Sequence, residues 1–150
     1  MKQICIILCI LFLSSCSKSV EKTEKNFLRN AIRQIDVDYS EYKWIIIIPG
    51  LGCHGCIQEA EYFMKENINN PHILFALTNA SSLKILQHKI GIELNNYPNI
   101  YIDNNRNLTI PTKNSIYPCI IWLEDGLIQK HLFQSPETDA FDRVKRISLN

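Results

Sequence analysis

No sign of charge prevails in this chain. Sixteen Lys and Arg stand against fifteen Asp and Glu, a formal net charge of +1. A nucleic-acid partner is therefore not indicated, because phosphate binding needs a basic face. Long apolar runs are missing as well. Ile4 to Leu13 is nearly unbroken, but a membrane-spanning helix needs about 20 apolar residues. No internal repeat is visible, and no second close-spaced cysteine pair accompanies Cys53 and Cys56. Zinc wants four ligands at fixed geometry, so it would have to recruit Cys119 and His54 through folding. What is present is hydrophobic content of 46% in 150 residues. That is enough for one packed core and about one domain plus a targeting segment.

The targeting segment lies at the start. Lys2 supplies a short positive region, and Ile4 to Leu13 has the length of a signal h-region. Leu13-Ser14-Ser15-Cys16 follows. An apolar residue, two small residues and a cysteine resemble the bacterial lipobox. The resemblance implies removal of residues 1–15 as a signal peptide and lipidation of Cys16. It also implies a lipid-anchored protein of the bacterial cell envelope, with its domain in the periplasm. Each buried CH₂ contributes about 0.8 kcal/mol, so several acyl chains would hold firmly. An ordinary signal peptide with a chance cysteine is the plainer alternative. Export changes the cysteine count. Cys5 and Cys9 leave with the signal and Cys16 carries lipid, so Cys53, Cys56 and Cys119 remain. An oxidising compartment permits disulfides, but an odd number speaks against a purely static scaffold.

Ser17 to Lys25 is polar and charged, with little to bury. It reads, with Cys16, as a flexible tether over residues 16–25, which leaves 26–150 for the domain. Phe27, Leu28, Ala31, Ile32 and Ile35 recur at helical spacing and predict a short leading helix. Trp44 to Ile48 is a continuous apolar, β-branched run, the pattern of a strand buried on both faces. Pro49 to Gly52 breaks it. Ile57, Ala60, Phe63, Met64 and Ile68 return to helical spacing. His72 to Leu77 predicts a second strand. Ser81 or Ser82 caps a helix through Leu83, Leu86 and Ile90, with Gly91 as its stop. Asn99 to Asp103 predicts a third strand. Cys119 to Leu123 and Leu127 to Phe133 flank Asp125-Gly126, a strong hairpin signal. Phe141, Val144 and Ile147 suggest a closing helix. The order β-α-β-α-β-β-β-α predicts an α/β fold, with a central mixed sheet flanked by helices.

Cys53-His54-Gly55-Cys56 directly follows a buried strand and opens a helix. The helix start has unpaired N–H groups and about half a positive charge, which favour a thiolate. The two-residue gap lets a second thiol reach a mixed disulfide formed by the first. Cys53 is thus the candidate attacking thiolate and Cys56 the resolving thiol. A protonated His54 would lower the Cys53 pKa.

This arrangement resembles the thioredoxin-like fold, nearest the membrane-tethered TlpA-type thiol–disulfide oxidoreductases. Three stretches carry the resemblance: Trp44 to Cys56 with its following helix; Glu59, three residues after Cys56; and Tyr117-Pro118 followed by Cys119 to Gly126. It implies a redox-active dithiol with no separate cofactor and no metal. The implied partners are protein thiols or disulfides and a membrane redox-recycling protein. It also implies a cis-proline at Pro118, with the Tyr117 backbone offered to an extended substrate strand. Some features depart from the family. Gly52 stands where an aromatic residue usually precedes the first cysteine, no proline separates the cysteines, and Ile47 stands where some thioredoxins bury an acid. Proton removal from Cys56 would then fall to water, His54 or Glu59.

Plainer readings stand beside these. Cys53 and Cys56 are alternatively a structural disulfide in a non-catalytic binding lipoprotein, or thiolates of a copper module that also draws on Cys119 or His54. Cys119 is simply a small buried residue in a strand, or a third redox or metal-binding thiol. Glu59 is an acid well placed on the first helical turn, or a proton shuttle. His72, His88 and His131 read as surface or partly satisfied residues, and Trp44 and Trp122 as sheet-packing aromatics.

Overall fold

A computed structural model describes residues 18–148. The proposed signal segment and Cys16 lie outside the described residues. Among the described residues, no helix is long and apolar enough to cross a membrane.

The chain begins with helix α1, residues 18–32. Then follow β1 (Trp44–Pro49), α2 (His54–Asn67), β2 (Ile73–Thr78), α3 (Leu83–Ile90) and β3 (Ile100–Asp103). A hairpin of β4 (Cys119–Glu124) and β5 (Leu127–Phe133) leads to α4 (Ala140–Ser148). The order agrees with the one predicted. So do the details that depend on local chemistry. Ser82 Oγ accepts from the Ile85 N–H at 3.3 Å, and Gly91 ends α3 at φ +71°. Asp125 and Gly126, at φ +51° and +70°, form the left-handed pair that a two-residue hairpin demands.

The five strands form one mixed sheet in the order β3-β2-β1-β4-β5. β1, β2 and β3 run parallel, whereas β4 and β5 are antiparallel to their neighbours. All six residues of β1 and all six of β2 are buried, as continuous β-branched and aliphatic runs require of central strands. Alternation along β1 divides them between two cores. Trp44, Ile46 and Ile48 face α2 and α4, packing with Ala60, Phe63, Met64 and Phe141. Ile45 and Ile47 face α1, packing with Leu28, Ala31, Ile32, Cys119 and Ile121.

The largest departure from the sequence reading is at the N-terminus. Residues 18–25, read as flexible tether, continue helix α1. Glu24 within that stretch is only 3% exposed. The physical reason is a set of polar partners from distant parts of the chain, described below.

α4 closes the first core through Phe141, whose ring stacks on Phe63 at 4.6 Å between centroids. Phe141→Ala would leave a cavity beside Phe63 and should lower unfolding stability by about 3–5 kcal/mol. Urea titration measures this. A loss under about 1 kcal/mol would mean that α4 contributes little to the core.

Candidate active site

β1 delivers the chain to the site through two glycines that admit no side chain. A Cβ at Gly50 would lie 2.2 Å from the Asn79 carbonyl oxygen. One at Gly52 would lie 2.2 Å from the Ile116 carbonyl oxygen, and Gly52 has φ +148°, a region that side chains disfavour. Gly52, which stands where an aromatic residue was expected, is thus the residue the geometry needs. Directly after it, the Cys53 N–H donates to the Ile116 carbonyl at 2.9 Å.

Cys53 is the N-cap of α2, with extended backbone and no side-chain capping bond. No acid occupies the first turn. The helix start therefore presents its positive end to the cysteines without a competing carboxylate. Cys53 and Cys56 form a disulfide, with Cα atoms 5.3 Å apart. Cys53 is partly exposed, whereas Cys56 is 4% exposed. A client sulfur can reach the first more readily than the second. His54 and Gly55 between them are exposed.

The opposing wall is a short 3₁₀ turn, Lys113–Ile116. Thr112 caps it, its Oγ1 accepting from the Asn114 N–H at 3.2 Å. The Tyr117 N–H donates to the Asn114 carbonyl at 3.0 Å. Pro118 is buried and its carbonyl accepts from the Gln134 N–H at 2.9 Å.

One expectation for this loop needs correction. The Tyr117–Pro118 bond is trans, as are all peptide bonds among the described residues. Trans is the default for X–Pro by about 0.5–1 kcal/mol, and here the turn already reaches Cys53 through Ile116. The Tyr117 N–H is engaged within the turn.

Glu59 lies on the second turn of α2 rather than the first. Its Oε2 accepts from Gln134 Nε2 at 2.6 Å. Gln134 Oε1 in turn accepts from the N–H groups of Ala140 and Phe141, at 2.7 and 3.3 Å, and so caps α4.

Cys119 is fully buried and has no disulfide partner among the described residues. Burial first, and the Glu24 charge second, push its thiol well above the ordinary cysteine value. It packs on the α1 face of the sheet, away from α2. Among the described residues, no group of three or more His, Cys, Asp or Glu is arranged to hold a metal ion.

The sequence reading missed Glu24 and the burial of His131. Glu24 Oε1 accepts from Thr112 Oγ1 at 2.5 Å and Asn114 Nδ2 at 2.8 Å. Its Oε2 lies 3.1 Å from His131 Nε2, and His131 is 8% exposed. His72 and His88 are exposed, as expected. A signal did exist: Glu24, Leu28, Ala31, Ile32 and Ile35 share one helical stripe.

No protein-family model and no curated protein matches this chain.

Gly52→Ala should push a Cβ into the rigid Ile116 backbone and cost about 1–3 kcal/mol of stability. Amide exchange at Cys53 should quicken as its bond to Ile116 weakens. Gly55→Ala is the contrast. Nothing lies within 4 Å of its added Cβ, and helix propensity predicts a gain of up to about 1 kcal/mol. Equal behaviour of the two variants would refute the close-approach argument.

Proposed function

We propose that this protein is a thiol–disulfide oxidoreductase of thioredoxin-like fold, resembling the TlpA type and lipid-anchored through Cys16 in the bacterial envelope. One observation carries the reading. A disulfide spans the start of α2, directly beyond a buried strand, with its first sulfur-bearing residue partly exposed and its second buried.

In the reducing direction, the Cys53 thiolate attacks one sulfur of a client disulfide and expels the other as a thiolate. A mixed disulfide links Cys53 to the client. The Cys56 thiolate then attacks Cys53 Sγ, closes the Cys53–Cys56 bond and expels the remaining client thiolate. The client gains two electrons and the protein loses two. The oxidising direction is the same sequence reversed. No separate cofactor enters, since the dithiol carries the electrons. A membrane partner in the periplasm restores the starting state. The positive end of α2 favours the thiolate on Cys53, and burial makes Cys56 the internal, resolving thiol. The packing of Cys119 on the opposite face weighs against a metal module built on all three thiols.

Trapping tests this order of events. Cys56→Ser should accumulate reductant-sensitive adducts with client proteins, because the mixed disulfide cannot resolve. Cys53→Ser should trap none, and Cys56→Ser with Cys119→Ala should trap as the single variant does. If neither Cys56→Ser nor the double variant forms adducts in cells, the pair is a structural disulfide and the reading fails. If only the double variant traps, Cys119 is the resolving thiol.

The anchor has its own test. Cys16→Ala should free the protein from the membrane fraction or block its processing. Retention in that fraction at the normal mature mass would refute lipidation at Cys16.

A further inference from the structure

A charged carboxylate is rarely buried without a purpose in the local geometry, because leaving water costs several kcal/mol unless partners replace it. Glu24 is 3% exposed and has three such partners. Two of them, Thr112 and Asn114, belong to the turn that faces Cys53. Thr112 Oγ1 caps that turn, and the Asn114 carbonyl closes it onto Tyr117. Between the two lies Ile116, whose carbonyl accepts from the Cys53 N–H. The third partner, His131, comes from β5, so the carboxylate also ties the turn to the sheet. An unbroken chain of hydrogen bonds and turn backbone runs from α1 to the attacking cysteine.

We infer that Glu24 is a positioning residue for Cys53: its carboxylate sets the Thr112–Ile116 turn, and the turn sets the backbone of the cysteine. The redox consequence rests on the oxidoreductase reading above, whereas the positioning does not. The direction of that consequence follows from the place of Cys53 at the N-cap. While Ile116 holds the Cys53 N–H, the cysteine backbone stays where its sulfur can accept from the N–H groups of the first turn of α2. Loosening the turn lets the sulfur leave those donors, which destabilises its thiolate. Destabilising the reduced form makes a dithiol pair more reducing.

The test compares Glu24→Leu with Glu24→Gln in the full chain. Gln keeps an oxygen for Thr112 and Asn114; Leu keeps none. Two readouts are taken: hydrogen exchange of the Cys53 amide, and the Cys53–Cys56 equilibrium constant against glutathione. Glu24→Leu should speed exchange at Cys53 at least tenfold. It should move the equilibrium about tenfold toward the disulfide, or about 30 mV. Glu24→Gln should stay within about threefold of the parent in both. Asn99→Leu supplies the control for lost stability alone. Asn99 is buried and donates to the Ile68 and Ile73 carbonyls, none of them in the turn. It should leave both readouts unchanged after correction for global stability. Should Glu24→Leu not fold, Thr112→Val with Asn114→Ala removes the same two contacts from the other side and should reproduce both shifts.

Parent-like exchange at Cys53 in the Leu variant, or in the double variant where Leu does not fold, would overturn the inference. So would equal shifts in Asn99→Leu. A parent protein whose cysteines do not equilibrate with glutathione would sink the oxidoreductase reading, while the exchange readout would still decide the positioning role.

Discussion

The contact between the Cys53 amide and the Ile116 carbonyl is the joint on which the site depends. The β1–β4 ladder ends at the pair Ile47 and Cys119. Beyond it the two chains part. β1 continues beside β2 as far as Pro49 and Thr78, while the segment before Cys119 curls into a 3₁₀ turn. They meet again at Gly52 and Ile116, so closely that no Cβ fits between them. Helix α2 supplies the electrostatics of the cysteines, but this second meeting sets how the first of them sits. Nothing in a ladder holds it there. A turn outside the sheet takes its position from side chains.

Each face of the sheet contributes one such anchor. On the α2 and α4 side, Gln134 binds the Pro118 carbonyl through its backbone, Glu59 through its amide nitrogen and the start of α4 through its amide oxygen. On the α1 side, Glu24 binds Thr112 and Asn114. Both anchors are polar groups at the margins of apolar cores. The energetic sense is asymmetric. A satisfied buried hydrogen bond adds only about 0.5–1.5 kcal/mol net, yet leaving a buried partner unsatisfied costs about 1–3 kcal/mol. Such groups make poor sources of stability and strong constraints on geometry.

That asymmetry also explains what was legible in the sequence. The strands, the helices after Cys53 and Ser82, and the hairpin at Asp125-Gly126 were readable because local chemistry decides them: apolar periodicity, a capping hydroxyl, a left-handed glycine. The placement of Cys53 and Cys56 at a helix start was readable for the same reason. The anchors were not. Glu24 sits in a charged stretch that looks like a tether, and its partners lie 88 to 107 residues away. Apolar periodicity stops at Phe27, although the buried stripe continues one turn further with an acid. Glu59 was found by its spacing from Cys56, but its partner Gln134 carries no motif. The isomer at Pro118 was beyond local reading too, since tertiary contacts select it from a small intrinsic difference.

The odd cysteine gains a physical explanation from the same network. A third thiol beside a cysteine pair invites mispairing, and reactivity follows the thiolate. Cys119 sits opposite Ile47 in the ladder, fully buried on the α1 face. Burial alone disfavours its thiolate, and the negative Glu24 disfavours it further. The helix start acts in the opposite sense on Cys53, where charge is welcome and water is near. One carboxylate on α1 thus bears on both ends of the thiol chemistry. It binds the turn that faces the partly exposed Cys53, and it helps keep the buried Cys119 protonated. The strand's two-residue alternation puts Cys119 on the α1 face of the sheet, whereas the disulfide-bonded pair lies beyond β1 at the start of α2, so the third thiol is kept apart from the other two.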